Sequence, residues 1–526
     1  MSRFRPTSIA KPTSLTCFGY SALRTTISFE HYWYGMEPLF ELELERSAPG
    51  ARDAGETLFR QLKEAIEDGR LAAGARLPAS RKSADFFGVS RNTVTDVYER
   101  LMNEGLVVAR QGSGTYVADV PPDPPVAPSS ASAYRLNAFW VRPDVTAAMG
   151  FWRDEKPADS VVGAPIDFRP ALIDPRLFPF EVYRRVSAKQ LRGLEKKPAA
   201  FKSPQGNQGN FHLRVAIANH IAVTRAVVCR PDDVVVTAGA QQAFDLLARI
   251  LVTPGETLVA IEDPGYPPMR VAFAAAGARI VPVPVDEEGL VVDSLPTGVG
   301  VICVTPSHQF PLGITMSKRR RATLVNFARE HGAVIVEDDY DGEFRFGGNP
   351  LQSLRATDRA DVVFYVGTFS KCMLPSLRLG FVVVPDWARR TLVAAKNCLD
   401  WHCSTPLQTG VSAFITEGHL ARHVRKMRQI YKARRQMLSE LLRQNCADWL
   451  EPIPSLYGMH VAAWARNGVD VDRAVQYLAA RSIKIHTLER YYSGQSPRTG
   501  LVFGYGTVGL LEIKRALAVL RKALAK

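Results

Sequence analysis

The apolar run Asp361–Val366 (DVVFYV) passes directly into Gly367–Lys371 (GTFSK), and this juncture constrains the chain more than any other segment. A run of that length and composition reads as a buried strand. A lysine just beyond it, behind small hydroxyl residues, is held at a fixed point and partly desolvated. Its pKa then falls, and the neutral amine can attack an aldehyde. Those are the requirements of an attachment site for pyridoxal 5'-phosphate (PLP). Thr368 and Ser370 can donate hydrogen bonds to a phosphate, and Arg378 in Leu374–Gly380 (LPSLRLG) can supply countercharge. Alone, a Ser-Lys pair ahead of an arginine reads equally as a solvated lysine, so the case depends on three other stretches.

Ile335–Phe344 (IVEDDYDGEF) puts acids at the end of an apolar segment, Ala333–Val336, that reads as a central parallel strand. Ligands of open α/β sheets bind at such strand ends. PLP withdraws electrons only while its ring nitrogen stays protonated, which a facing buried carboxylate ensures. Asp338 is the candidate and Asp339 the alternative, with Tyr340 placed to bond the ring hydroxyl. A metal-binding acid cluster or a solvated strand end is the plainer interpretation without Lys371. Val234–Leu251 (VVVTAGAQQAFDLLARIL) runs from a β-branched strand through a Gly-Ala turn into a periodic helix. Gly239, Ala240 and Gln241 would aim backbone N–H groups and a helix N-terminus at a phosphate, although many α/β crossovers share this pattern. Glu262–Pro268 (EDPGYPP) ends another strand, and Tyr266 there can lie against the pyridine ring or simply pack beside a Pro-Gly turn.

These four pieces, in this order, resemble the fold-type I aminotransferase domain over roughly Ile166–Lys526. Pro306–Gly313 (PSHQFPLG), EDDYDGEF, GTFSK and TAGAQQAFDLLAR resemble one subgroup, the MocR/GabR regulators within the GntR family. That resemblance implies an N-terminal DNA-binding module, and Thr57–Ala118 reads as one. Thr57–Gly69 is a helix with Leu58, Leu62, Ala65 and Ile66 on one face. Phe86–Val89 is a tight turn between two further helices, and Ser90 caps the second of them. Val94, Val97, Leu101 and Met102 face inward along that helix, while Arg91, Asn92, Thr93 and Thr95 crowd its exposed first turn, where a recognition helix meets DNA. Arginine and asparagine suit guanine and adenine edges. Leu106–Ala118 is a hairpin with Gly112, Ser113 and Gly114 at its tip, the wing. Carried over by position from the GntR-type module, the DNA-contacting set is Arg81, Ser90, Arg91, Asn92, Thr93, Thr95, Gln111 and Gly112. A packing module without nucleic acid has no need of those polar side chains.

The expected fold class is therefore α/β: a winged helix-turn-helix joined by a linker to a PLP-dependent, fold-type I aminotransferase domain with a mostly parallel sheet. The expected division is 1–36 as a disordered extension or an over-extended start, 37–118 as the DNA-binding domain, 119–165 as linker, and 166–526 as the PLP-binding effector domain. A chain of 526 residues exceeds a single core. Its formal charge of +14 suits a polyanionic partner. Residues 37–118 carry 11 Lys/Arg against 13 Asp/Glu, however, whereas Arg70–Arg110 carries 7 against 4. A local face and two copies of the module in a homodimer, rather than bulk charge, would supply affinity for double-stranded DNA. The Pro/Ser-rich linker from Ala118 to Ala133 is long enough to carry each module to the neighbouring subunit, a domain-swapped arrangement.

The seven cysteines form no CxxC pair and no metal spacing, which points to reduced thiols in a cytoplasmic chain with no metal. No segment approaches a membrane span. Within the aminotransferase resemblance the chain departs from catalytic relatives at three places. Phe310 takes the position of an asparagine that meets the ring hydroxyl, Val502 that of a carboxylate-clamping arginine, and Phe201 that of a phosphate-contacting tyrosine from the partner subunit. Arg490 is the candidate substitute clamp for an effector carboxylate, with a surface ion pair as its plainer role. These losses favour a sensor of an amine or amino acid, or of PLP itself, through an aldimine at Lys371. The alternative is a working aminotransferase with an appended DNA-binding domain.

Overall fold

The computed structural model describes residues 54–110, 113–119, 137–143, 145, 166–196, 206–347 and 352–525. The chain divides into two compact units between Tyr134 and Arg135.

In the first unit, three helices pack beneath a two-stranded hairpin: α1 (Ala54–Glu67), α2 (Ser80–Phe87), α3 (Arg91–Asn103), β1 (Val107–Arg110) and β2 (Gly114–Val117). Helix α1 turns Leu58, Leu62, Ala65 and Ile66 inward, the face its periodicity predicts, together with Phe59. Helix α2 stops at Phe87 because Gly88 adopts the left-handed conformation (φ +67°) that a β-carbon disfavours. On α3, Val94, Val97, Tyr98 and Leu101 are buried, whereas Met102 is only half-buried. Burying such side chains contributes about 1.5–3 kcal/mol each, which suffices to order a helix of 13 residues. The strands β1 and β2 pair antiparallel, Arg110 opposite Gly114.

The second unit opens with β3 (Ile166–Asp167). It is built on an eight-stranded sheet formed by β4 (Val234–Thr237), β5 (Leu258–Asp263), β6 (Arg279–Asp286), β7 (Gly289–Leu290), β8 (Val299–Val304), β9 (Val334–Asp339), β10 (Val363–Thr368) and β11 (Gly380–Val383). Their order is β4-β11-β10-β9-β8-β5-β6-β7. Strands β10, β9, β8, β5 and β6 run parallel, and β11 is antiparallel to both its neighbours. Near-continuous apolar sequence in β4, β8, β9 and β10 follows from burial on both faces. A four-stranded sheet of β12 (Leu450–Pro452), β13 (His460–Ala465), β16 (Gly500–Gly504) and β15 (His486–Thr487) follows in that order, and β14 (Ile483–Lys484) pairs in parallel with β3.

Because β11 lies between β4 and β10, Thr237, Gly380 and Thr368 stand in one row across three strands. The turns leaving β4 and β10 therefore emerge side by side. Gly380 permits this closeness: a β-carbon there would lie 2.9 Å from Gly367 O and 3.0 Å from the backbone of Gly239. Within the segment expected to be linker, residues 138–141 form a short 3-10 turn capped by Asn137.

Candidate cofactor and DNA-binding sites

Lys371 follows β10 by three residues and is half-buried. Its Nζ donates to the carbonyl oxygen of Ala171 at 2.6 Å. Burial pushes its pKa down to about 8; Asp341 and Asp338 pull it up, and Arg378 pushes it down. A lysine so placed is a usable nucleophile near neutral pH.

Asp338 and Asp339 sit next to each other in β9 but in different surroundings. The carboxylate of Asp339 receives Arg225 Nη2 at 2.9 Å and the Tyr365 hydroxyl at 2.5 Å. Asp338 is buried, and its Oδ1 has no hydrogen-bond partner. Burial holds its proton well above the usual carboxylate range, and Asp339 and Asp341 reinforce this while Lys371 opposes it. A buried carboxyl with an unused oxygen is suited to a cationic ring nitrogen, which would restore its charged form. Behind it, Glu262 accepts from Thr305 N and is pushed up to about 7 by burial.

The row of strand ends forms an anion cradle. Gly239 (φ +84°) caps the helix Ala240–Leu251 without a side chain, leaving its N-terminus open. A β-carbon on Gly239 would lie 3.2 Å from Arg378 Nη2, which itself donates to Ala238 O at 3.0 Å. The Thr368 and Ser370 hydroxyls are 3.0 Å apart, and Ser370 N donates to Thr368 Oγ1. The Gln241 side chain instead donates to Pro268 O, so only its backbone faces this turn. The orphaned carboxyl oxygen, the side-chain-free turn at Gly239 and the half-buried lysine with its lowered pKa together fit PLP, the cofactor of this fold.

Tyr266, Phe310 and Tyr340 form an aromatic series: Phe310 meets Tyr266 edge-on at 5.6 Å and Tyr340 at 5.7 Å. The Tyr340 hydroxyl donates to His308 O at 3.0 Å and lies 2.8 Å from His308 Nδ1. Phe310 and Val502 share one buried apolar cluster with Leu488 and Tyr491. Arg490 lies exposed on the turn Glu489–Tyr491. Burial, then Arg490 and Arg169, push His486 down to about 3. Phe201 lies outside the described residues.

Sequence reasoning missed Arg225, His308, Asp341 and the Ala171 carbonyl. Arg225 ends the helix Phe211–Arg225, which buries a second arginine, Arg214, so sequence alone did not single it out, and His308 and His460 were legible only as histidines in apolar surroundings. The carbonyl carries no sequence signal.

On the first unit, Ser90 Oγ accepts from Thr93 N at 3.1 Å, the expected cap of α3. Thr93 Oγ1 also pairs with Ser90 Oγ, at 2.8 Å. Arg81, Arg91, Asn92 and Thr95 are exposed, and Thr95 Oγ1 donates back to Arg91 O. Gln111 and Gly112 lie outside the described residues. Two arginines not singled out from the sequence flank the wing. Arg110 stacks 4.6 Å from the Tyr116 ring, and Arg76 pairs with Tyr116 through the backbone.

A winged helix-turn-helix followed by a fold-type I aminotransferase domain with an intact lysine, acid and phosphate cradle defines a class: PLP-type DNA-binding regulators. Comparison with known proteins agrees. Residues 54–117 match the bacterial regulatory proteins of the gntR family, and residues 181–467 match aminotransferase class I and II. The chain is 34% identical to the probable rhizopine catabolism regulatory protein MocR of Rhizobium meliloti, over 90% of this chain and 94% of that one. It is 29% identical to the pyridoxine biosynthesis transcriptional regulator PdxR of Corynebacterium glutamicum, over 89% and 95%. Among solved structures, kynurenine aminotransferase of Pyrococcus horikoshii, in complex with PMP, superimposes with a TM-score of 0.62 at 26% identity, covering 69% of this chain and 91% of that one. The chain belongs to the MocR-type regulators of the gntR family, which carry an aminotransferase class I and II domain. Among the described residues, no helix is long and apolar enough to cross a membrane.

Proposed function

We propose that the protein regulates transcription by coupling PLP held at Lys371, and an amine or amino-acid effector that reaches it there, to operator binding. The observation that carries this reading is the half-buried Lys371, with its lowered pKa, together with the partnerless oxygen of Asp338, on the same chain as an exposed, capped recognition helix. When bound, PLP supplies an aldehyde for Lys371 and an electron-withdrawing ring. Asp338 holds the proton on the ring nitrogen side. Gly239, Ala240, the Gln241 backbone, Thr368, Ser370 and Arg378 would hold the phosphate, Tyr266 would flank the ring, and Tyr340 would serve its hydroxyl edge. Arg490 is the candidate contact for an effector anion. Arg81, Ser90, Arg91, Asn92, Thr93, Thr95, Gln111 and Gly112 form the DNA-contacting set.

An effector alters operator binding only by binding one DNA-competence state better than the other. A homodimer with exchanged DNA modules, acting in the cytoplasm, is the assembly this reading uses. The apolar packing of Phe310 and Val502 favours sensing over turnover, because neither can orient a substrate carboxylate or a ring hydroxyl. Borohydride reduction followed by peptide mapping should find the cofactor on Lys371, and footprinting should show two protected segments that Arg91→Ala abolishes without unfolding the chain. A cofactor adduct on another lysine, or undiminished specific binding by the Arg91 variant, refutes the reading. Sustained formation of an oxo product from an amine would establish an aminotransferase instead.

A further inference from the structure

Lys396 takes no part in the roles assigned above, yet it is buried completely. It lies in the last turn of the helix Asp386–Leu399, and its side chain has no exposed surface. Lysine is almost never enclosed to that degree unless its charge and hydrogens are matched. Here they are. Nζ donates to Gln242 Oε1 at 3.0 Å, to Asp400 Oδ1, and to Cys403 Sγ at 3.8 Å. Those are the three bonds that an ammonium group can make, and the Asp400 carboxylate balances the charge.

Gln242 carries this group to the candidate phosphate cradle. Its Oε1 also accepts from Ala238 N at 2.7 Å, and its Nε2 donates to Asp400 Oδ2 at 2.8 Å. A backbone N–H and an ammonium only donate, so the atom between them is the amide oxygen, and the orientation of the amide is fixed. Lys396, Gln242 and Asp400 thus close a ring in which each side chain bonds both others. Ala238 precedes Gly239, and Arg378 Nη2 grips its carbonyl oxygen at 3.0 Å. The peptide groups on both sides of Ala238 are therefore tied, one to Gln242 and the other to Arg378. From there Gly239, at φ +84°, turns directly into the helix Ala240–Leu251. Peptide groups are rigid planes, so bonds on both sides of Ala238 decide where the unpaired N–H groups opening that helix point.

We propose that Lys396 is a positioning residue for the phosphate end of the cofactor site: through Gln242 it holds the Ala238–Gly239 turn so that the N–H groups opening the helix Ala240–Leu251 converge on one anion. The proposal rests on the reading of that turn as the phosphate cradle. Lys396 has given its three hydrogens to Gln242, Asp400 and Cys403, so none is left for a phosphate. Its effect is one of direction rather than attraction. Methionine in its place leaves Gln242 Oε1 with Ala238 N alone and takes the cation from Asp400, whose side chain is 30% exposed and turns to water. The amide of Gln242 is then no longer held at both ends. The turn gains freedom, and ordering it falls to the incoming phosphate, which weakens binding of that group. Leucine at Gln242 has the same consequence by a shorter route, since Ala238 N loses its acceptor outright.

The test compares PLP with pyridoxal, which has the same ring and aldehyde but no phosphate. Dissociation constants for both are read from the visible absorbance of the full-length protein after removal of cofactor and titration with either compound. Lys396→Met and Gln242→Leu should each weaken PLP by about fivefold or more, the effect of one lost hydrogen bond, and change pyridoxal by less than about twofold. The double variant should be within about twofold of the more damaging single one, because both substitutions undo one ring. Gln242 is half-buried, so Gln242→Leu keeps the test standing if Lys396→Met folds poorly. A merely structural role has PLP and pyridoxal weaken together, or neither move. Either result overturns the proposal, and so do effects that multiply in the double variant. If the unaltered protein binds PLP no more tightly than pyridoxal, the turn is not a phosphate cradle, and the proposal falls with that reading. A phosphate advantage that survives undiminished in both single variants overturns the proposal alone.

Discussion

Replacing the adjacent carboxylates of β9 by amides, one at a time, separates two roles that the sequence leaves entangled. Asp339→Asn takes the counter-ion from Arg225, a residue 8% exposed. Arg225 then keeps the Ser307 hydroxyl but no carboxylate. Removing one partner of a buried ion pair costs about 3–5 kcal/mol. With an unfolding entropy of about 2.1 cal/mol/K per residue over roughly 360 residues, that corresponds to a melting temperature lower by about 4–7 °C for the second unit. Asp338→Asn works in the opposite sense. Its Oδ1 has no partner to lose, and Asp339, Asp341 and Glu262 all disfavour its charge. An amide of nearly the same shape should change the cofactor-free stability by less than about 1 kcal/mol. Cofactor affinity reverses the ranking: Asp338→Asn should weaken PLP binding by about tenfold or more, equivalent to about 1.4 kcal/mol, whereas Asp339→Asn, where folded, should largely retain it. Scanning calorimetry of the cofactor-free variants and absorbance titration with PLP give both numbers. If Asp338→Asn melts as low as Asp339→Asn, or if the Asp339 variant is the one that loses PLP, the assignment of the two side chains is wrong.

Two other outcomes are open to direct measurement. Ser90→Ala removes the bond to Thr93 N and should destabilise the DNA-binding unit by about 1 kcal/mol while weakening operator affinity; unchanged urea denaturation would show that α3 does not depend on its cap. In the cofactor-free protein, the reactivity of Lys371 toward an amine-directed reagent should rise with pH and level off above about 8, because the amine is neutral only above its lowered pKa; a midpoint near that of ordinary lysines would mean that the side chain is hydrated.

How much was legible in the sequence depended on whether the chemistry was local. The Ser90 cap, the left-handed Gly239, the lysine three residues past β10 and the acids ending β9 are each set within about five residues, where spacing and propensity speak clearly. The difference in surroundings between Asp338 and Asp339 was not local. It turned on Arg225, more than a hundred positions away in sequence, and on Tyr365 in the neighbouring strand. His308 and His460 likewise meet only because β13 of the smaller sheet packs against the turn after β8. Met102 shows the limit of periodicity itself: it shares the apolar pattern of α3 yet lies only half-buried, while Tyr98, polar at its tip, goes inside because Ser83 and the Pro78 carbonyl meet its hydroxyl.

The hydrogen bond from Lys371 to Ala171 also bears on how the state of the amine is communicated. An aldehyde attached at Nζ would leave that nitrogen one hydrogen at most, so the bond to Ala171 O would survive only in the protonated form. Ala171 has a strained backbone (φ +64°) and lies just beyond β3, where the described residues resume at Ile166. The short strand β3 pairs with Ile483 and Lys484, and Thr507 Oγ1 donates to Asp167 O beside it. The candidate cofactor lysine and the first described segment of the larger sheet-bearing unit's β3 region are thus joined by the bond from Lys371 Nζ to Ala171 O.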